Sequence, residues 1–377
     1  MLDPRETTAL LRTQGYDFFA GVPDSLLKEL CACITDTVAP QNHVIAANEG
    51  GAVALAAGYH LATGKAAVVY LQNSGLGNTI NPLLSLADPQ VYRIPMLVVV
   101  GWRGEPGVKD EPQHIKQGRI QNRLLEALEY PVAVLSAEPQ EAQAQITELT
   151  AQMHQLGSPV FLVVRADTFA PYKLAADPPP YSLSREQALE LIIPAVGEDA
   201  RIVSTTGKTS REIFELRERL GQDHSRDFLT VGSMGHASMI ALALARFATV
   251  PVYCIDGDGA ALMHLGALPI AGHHGPENLR HIVINNGAHE SVGGQPTVAF
   301  HLDIPAIARE CGYRHVFRAQ AAGELAAALT ELAGVTGPAL LEVRVRPGSR
   351  ADLGRPTTTP VQNKQAFMDA LEGSRRG

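Results

Sequence analysis

The stretch CIDGDGAALMHLGAL, Cys254 to Leu268, and the run HIVINNGAHESVGGQP that begins at His281 decide how this chain folds. The β-branched runs that carry them, Pro251 to Ile255 and His281 to Ile284, lack polar alternation, as strands buried on both faces require. The residues between suit a helix, so the segment reads as one βαβ unit. Gly257, Asp258 and Gly259 close the first strand, and Asn286 ends the second. A crossover of that length returns the chain to the sheet beside its start, so a carboxylate and an amide converge at the carboxyl edge. A carboxylate, an amide oxygen and a backbone carbonyl are the hard oxygen ligands that magnesium takes when it also binds a diphosphate.

Outward from this unit the same grammar repeats. Apolar runs at Ala66 to Leu71, Met96 to Val100, Val160 to Val164, Arg201 to Ser204 and Ala339 to Val345 read as further strands. Between them lie helix faces such as Ile213, Leu216 and Leu220, or Leu325, Leu329 and Leu332. The class is α/β: two doubly wound parallel-sheet domains with no middle domain. The pattern lapses in ADTFAPYKLAADPPPYSLS, Ala166 to Ser184, where Pro178, Pro179 and Pro180 favour a stiff, extended connection. The expected division is a first domain over 1–170, a linker over 171–184 and a second domain over 185–377. No short tandem repeat is visible, yet two halves of similar size and grammar suit distant structural relatives.

Composition excludes several classes. With 45% hydrophobic and 19% charged residues and a net charge of -8, the chain has no basic stripe to attract nucleic acid. The opening MLDPRETTALL lacks the apolar core of a signal peptide, and His236 and Arg246 interrupt the most apolar window, so no membrane partner and a cytoplasmic location are expected. Cys31, Cys33, Cys254 and Cys311 show no metal or redox spacing and read as reduced thiols. TTGKTS at 205–210 imitates the end of a P-loop, but Ile202 stands where its first glycine belongs. SGLGNT at 74–79 never supplies the third glycine of a Rossmann fingerprint. Either loop could still hold phosphate on backbone N–H groups at a helix start.

The GDG motif followed by NN resembles the thiamine diphosphate enzymes. A second stretch carries the same resemblance: in AANEGGAVALAAGYHLATG, from Ala46, Asn48 caps a helix, Glu49 stands in its first turn, and Ala52, Leu55, Ala56 and Tyr59 share one face. The order, glutamate helix first and metal motif second, matches the family's pyrimidine-binding and diphosphate-binding domains. The resemblance implies thiamine diphosphate and Mg2+ as cofactors, with Glu49 bonded to the aminopyrimidine ring. It places Thr205, Thr206, Gly207, Ser233, Met234, Gly257, Asp258, Gly259, Ala260 and Asn286 against the cofactor. The metal ligands would be Asp258, Asn286 and Ala288 through its carbonyl, with Asn285 the alternative should the register slip by one. Met234, in GSMG at 232–235, stands where relatives bend the coenzyme. Active sites between subunits, hence a homodimer or higher homo-oligomer, follow from the same resemblance.

Within that family the two-domain length fits decarboxylases of small anionic 2-oxo acids, those acting on 3-phosphonopyruvate first, with sulfopyruvate or another 2-oxo acid as the alternative. The strings AGVPDSLLK from Ala20, YLQNSGLGNTINPL from Tyr70, GWRGEPGVKDEPQHIKQG from Gly101 and GRPTTTPVQNK from Gly354 carry the match. Such chemistry needs a proton donor, for which His114 and His289 are the candidates. A second anionic group on the substrate needs donors or cations: Ser25, Asn73, Ser74, Arg103 and Lys109, and more weakly Arg350 and Arg355. The Trp102 to Gln117 stretch reads as a glycine- and proline-rich loop suited to a lid. A noncatalytic nucleotide-binding α/β module is the alternative from another class.

Overall fold

The computed structural model describes residues 1–175 and 180–376. By contacts the chain divides into Met1–Ala176 with His289–Pro296, and Asp177–Ala288 with Thr297–Gly377. Pro178 and Pro179 of the expected linker lie outside the described residues.

The first unit contains β1 (Phe19–Gly21), β2 (His43–Ile45), β3 (Ala67–Gln72), β4 (Met96–Gly101), β5 (Val132–Val134) and β6 (Pro159–Val164). The second contains β7 (Arg201–Ser204), β8 (Asp227–Leu229), β9 (Val252–Gly257), β10 (Leu279–Asn285), β11 (His315–Ala319) and β12 (Ala339–Arg344). Each unit is one six-stranded sheet, in the orders β2-β1-β3-β4-β6-β5 and β11-β12-β10-β9-β7-β8, with parallel pairing throughout. Counted along the chain within each unit, these are the same order, so the two halves share one topology.

Burial on both faces explains the unbroken apolar runs. In β3 and β4, Val68, Tyr70, Leu97 and Val99 enter one core while Ala67, Val69, Met96 and Val98 enter another across the sheet. In the second unit Ile255, Ile282 and Ile284 face one layer and Val252, Cys254 and Val283 the other. Every strand expected from an apolar run is present. The five additional ones are β1, of three residues, and the four edge strands β2, β5, β8 and β11. Edge strands such as His43–Ile45 are only half-buried, so their sequences need no apolar run.

Two expected helix faces are corrected. In the Glu49–Thr63 helix the buried side is Ala52, Val53, Ala56 and Ala57, while Leu55 is 36% exposed. The Lys208–Arg219 helix stops at Leu220, which is exposed.

Candidate active site

Both sheets present their functional side chains at the carboxyl ends of the same four strands. In the second unit β9 and β10 are neighbours, with Gly257 paired to Ile284, so GDG and NN leave the sheet side by side. Asp258 opens a short helix and is 3% exposed. The Thr297 hydroxyl donates to its Oδ2 at 2.5 Å. Burial pushes its carboxyl up to about 6, against that bond and the Asn286 N–H. Among the described residues no basic side chain pairs with it, and a buried carboxylate in that state fits a cation. Asn286 is buried next to it, its Oδ1 accepting the Ala288 N–H at 3.1 Å. Asn285 is engaged elsewhere: its Nδ2 donates to Glu342 at 2.7 Å and its Oδ1 accepts from Gly287. The donor set of Asp258, Asn286 and the Ala288 carbonyl therefore fits a hard divalent cation better than a register through Asn285.

Around this pair stand the remaining residues of the second unit. Thr205 follows β7, buried against Gly257. Thr206 donates to the Val231 carbonyl at 2.8 Å, tying the end of β7 to the loop after β8. Gly207 caps the Lys208–Arg219 helix at φ +93°, a conformation that requires glycine. Ser233 is exposed and also has positive φ, while Met234 is half-buried and belongs to no core. A methyl group on Gly235 would strike His264 and the Ala260 carbonyl, so the GSMG turn lies directly on the helix that Asp258 opens.

In the first unit the Asn48 side chain caps the glutamate helix, accepting from Gly50 at 2.8 Å and Gly51 at 3.3 Å. Glu49 is 5% exposed, and burial raises its pKa against the hydrogen bond from Asn78 Nδ2 at 2.7 Å. A Cβ on Gly75 would overlap the Glu49 carboxylate, so that turn needs glycine.

Arg103, just beyond β4, joins Ser25, Asn73 and Asp110. Its Nε donates to Asp110 Oδ2 at 2.8 Å, a second guanidinium nitrogen reaches Asp110 Oδ1, and another donates to Ser25 Oγ at 2.6 Å. Asn73 Nδ2 donates to the Arg103 carbonyl at 2.8 Å. Ser74 is exposed and holds Gln72; Lys109 is exposed. Arg350 is committed elsewhere, to Glu186, Glu215 and Asp352. The expected lid is shorter than the sequence suggests, because Pro112 at a helix N-terminus starts the Pro112–Ala127 helix and puts His114 in its first turn. His114 and His289 are both buried, and burial lowers each to about 4. Both imidazoles are therefore neutral near pH 7, each with one N–H donor and one acceptor nitrogen rather than the charge of an imidazolium.

Sequence reasoning passed over Asp24, Asn78, Asp110 and Thr297. Asp24, Asn78 and Asp110 lie inside the strings that carry the family resemblance, but Asn78 and Thr297 act on partners 29 and 39 positions away, which no local pattern signals.

This architecture is that of a cofactor-binding α/β enzyme, and the comparisons agree. Residues 7–127 match the family described as thiamine pyrophosphate enzyme, N-terminal TPP binding domain, and residues 206–343 match its C-terminal TPP binding domain. The chain belongs to the thiamine pyrophosphate (thiamine diphosphate) enzymes. More particularly, it is 36% identical to a phosphonopyruvate decarboxylase of Streptomyces viridochromogenes, covering 97% of this chain and 94% of that protein. A phosphonopyruvate decarboxylase of Streptomyces hygroscopicus is also 36% identical, over 98% of this chain and 94% of its own. A sulfopyruvate decarboxylase of Methanosarcina acetivorans is 25% identical over 99% and 98%. Family membership removes the ground for an unrelated nucleotide-binding module. Among the described residues no helix is long and apolar enough to cross a membrane.

Proposed function

We propose that this chain is a thiamine diphosphate- and magnesium-dependent carboxy-lyase that converts 3-phosphonopyruvate to phosphonoacetaldehyde and carbon dioxide, a step of phosphonate biosynthesis. The observation that carries the reading is the 36% identity, over nearly the full length, to two phosphonopyruvate decarboxylases, joined to a buried Asp258 beside Asn286 that has no basic partner among the described residues. Bound thiamine diphosphate supplies the electron sink for the bond pair released as carbon dioxide leaves. Asp258, the Asn286 amide oxygen and the Ala288 carbonyl would hold magnesium and, through it, the diphosphate; Thr205, Thr206, Gly207, Ser233, Gly257, Gly259 and Ala260 would bind the cofactor, and Met234 would support its bent form. Glu49 holds or releases a proton at its carboxyl: burial favours the acid, and Asn78 steadies the anion. Ser25, Asn73 and Arg103 receive the anionic substrate, and the neutral imidazoles of His114 and His289 relay protons.

The same reading includes a cytoplasmic homodimer or higher homo-oligomer. In its support, the Glu49–Thr63 helix leaves Leu55 and Leu61 exposed, and in the second unit Phe247 is 76% exposed. The test is aldehyde release from phosphonopyruvate, sulfopyruvate and pyruvate, with and without magnesium and thiamine diphosphate. Phosphonopyruvate should be turned over best and only with both cofactors. A preference for sulfopyruvate moves the assignment to the sulfonate, and activity without either cofactor refutes it.

A further inference from the structure

The carboxyl ends of β1, β3 and β4 hold a polar cluster built around Arg103, which is paired with Asp110 and also lies in the field of Asp24 and Glu111. Arg103 is fixed from two sides, by the two-pronged pair with Asp110 and by Ser25 Oγ. Asp110 is fixed in turn: it also accepts the Gly104 N–H and the Glu111 N–H, each at 2.7 Å. Burial, the largest influence on Asp110, pushes its carboxyl up, but the bonds from Arg103 and these two amides hold it below the usual carboxylate range. Gly104 sits at φ +69°, where a Cβ would overlap the His114 carbonyl, so the turn carrying the pair is closed tightly onto the Pro112–Ala127 helix. Three nearby polar atoms have no partner among the described residues: Asp24 Oδ1, Asn73 Oδ1 and His114 Nδ1, in side chains 0%, 2% and 8% exposed.

A guanidinium has five N–H donors, and Asp110 and Ser25 use three of them. Two remain on the same rigid fork. The Ser25 hydroxyl accepts from Arg103, which leaves its own proton free to donate. Since its two oxygens already accept four N–H groups, Asp110 serves as a mould for the cation rather than a competitor for every donor. Asp24 and Glu111 face the same guanidinium; burial pushes Asp24 up to about 6, so its opposition to an incoming anion falls away only as the pH drops below that value.

We propose that Asp110 is the positioning residue that sets Arg103 and Ser25 as a preformed receptor for a second anionic group on the substrate, and thereby makes the site select dianion-bearing 2-oxo acids. The proposal deepens the decarboxylase reading above and rests on it for the identity of the substrate. Its physical content is preorganisation: the cost of fixing a long, flexible cation falls on folding, before the ligand arrives. Arg103 without Asp110 remains a cation but loses its orientation, so a phosphonate should suffer far more than a methyl group.

The sole tryptophan of the chain, Trp102, adjoins Arg103 and is buried, with its Nε1 donating to the Gly118 carbonyl at 2.9 Å. It gives a binding signal independent of turnover. The experiment compares wild type, Asp110→Asn, Arg103→Lys and the double variant, as holoenzymes. It reads kcat and KM on phosphonopyruvate and pyruvate, and Trp102 fluorescence on titration with phosphonoacetate. Asp110→Asn should lower the phosphonopyruvate-to-pyruvate ratio of kcat/KM by about ten- to a hundredfold, mainly through KM, and weaken phosphonoacetate by a similar factor. The double variant should be no worse than Arg103→Lys alone, because Asp110 acts through Arg103. Equal proportional losses on both substrates, full additivity in the double variant, or unaltered phosphonoacetate affinity in Asp110→Asn would each overturn the proposal. Should Asp110→Asn not fold, Ser25→Ala leaves the ion pair in place and must still weaken phosphonoacetate by several-fold; unaltered binding there also overturns it. A wild type that decarboxylates none of the 2-oxo acids but binds phosphonoacetate through Arg103 and Asp110 refutes the enzyme assignment and leaves the receptor standing.

Discussion

The two sheets are built to one plan and equipped for opposite charges. In both, the functional loops follow the first four strands of an identical order. After the third strand comes Asn73 in the first unit and Asp258 in the second; after the fourth comes Arg103 in one and Asn286 in the other. The second unit therefore offers a buried carboxylate that has no basic partner among the described residues and suits a cation. Its counterpart offers a guanidinium already tied to a carboxylate and suited to an anion. A shared topology thus fixes where side chains gather but not their chemistry, because strand ends are set by backbone pairing and the loops beyond them are free to vary.

The largest expected effect tests the cation end. Asp258→Ala should abolish magnesium-supported binding of thiamine diphosphate and lower turnover by about a thousandfold or more, seen when the cofactor-free protein is titrated with both. Retained cofactor binding would break the contrast between the two ends.

Glu49→Gln should cut turnover nearly as far while cofactor affinity stays close to wild type, because the amide keeps the shape but cannot carry the proton. Activity within about tenfold of wild type, about 1.4 kcal/mol of barrier, would remove Glu49 from its role.

Adjacent asparagines sharpen the picture further. Asn286→Ala should weaken magnesium, whereas Asn285→Ala breaks the buried bond to Glu342 and should instead cost about 1–3 kcal/mol of stability in urea unfolding. The reverse pattern would shift the ligand register by one.

The smallest effect concerns the edge of the first sheet. Burial lowers His43 to about 4 from an ordinary 6.5, so its neutral form is favoured on folding. That contribution is present above about pH 6.5 and is lost as pH falls towards 4, because the unfolded chain takes up the proton first. His43→Gln should therefore lose less stability than wild type between pH 7 and pH 4, by at most about 2–3 kcal/mol; parallel acid-unfolding curves would rule the linkage out.

The sequence alone determined the α/β class, the seven strands with unbroken apolar runs, the Asn48 cap and the strand-end neighbours Asp258 and Asn286. Each of these follows from short-range rules: burial on two faces demands an apolar run, a cap lies next to its helix, and one crossover sets two strand ends together. Tertiary structure decided the rest. The edge strands β2, β5, β8 and β11 have partners on one side only, so their composition is not constrained to be apolar. Leu55 and Leu220 fit a helical period but face outward, since periodicity gives the spacing of a face and not which face the sheet covers. Thr297 on Asp258 and Asn78 on Glu49 join residues 39 and 29 positions apart, and Arg103 meets Ser25 across 78. Such pairs are chosen by where parallel strands end in space, which no local pattern encodes. For that reason the proposed metal ligands Asp258 and Asn286 could be read from one motif, while Ser25, Asn73 and Arg103 stood in the sequence only as separate candidates, and their grouping with Asp110 became legible only once β1, β3 and β4 stood side by side.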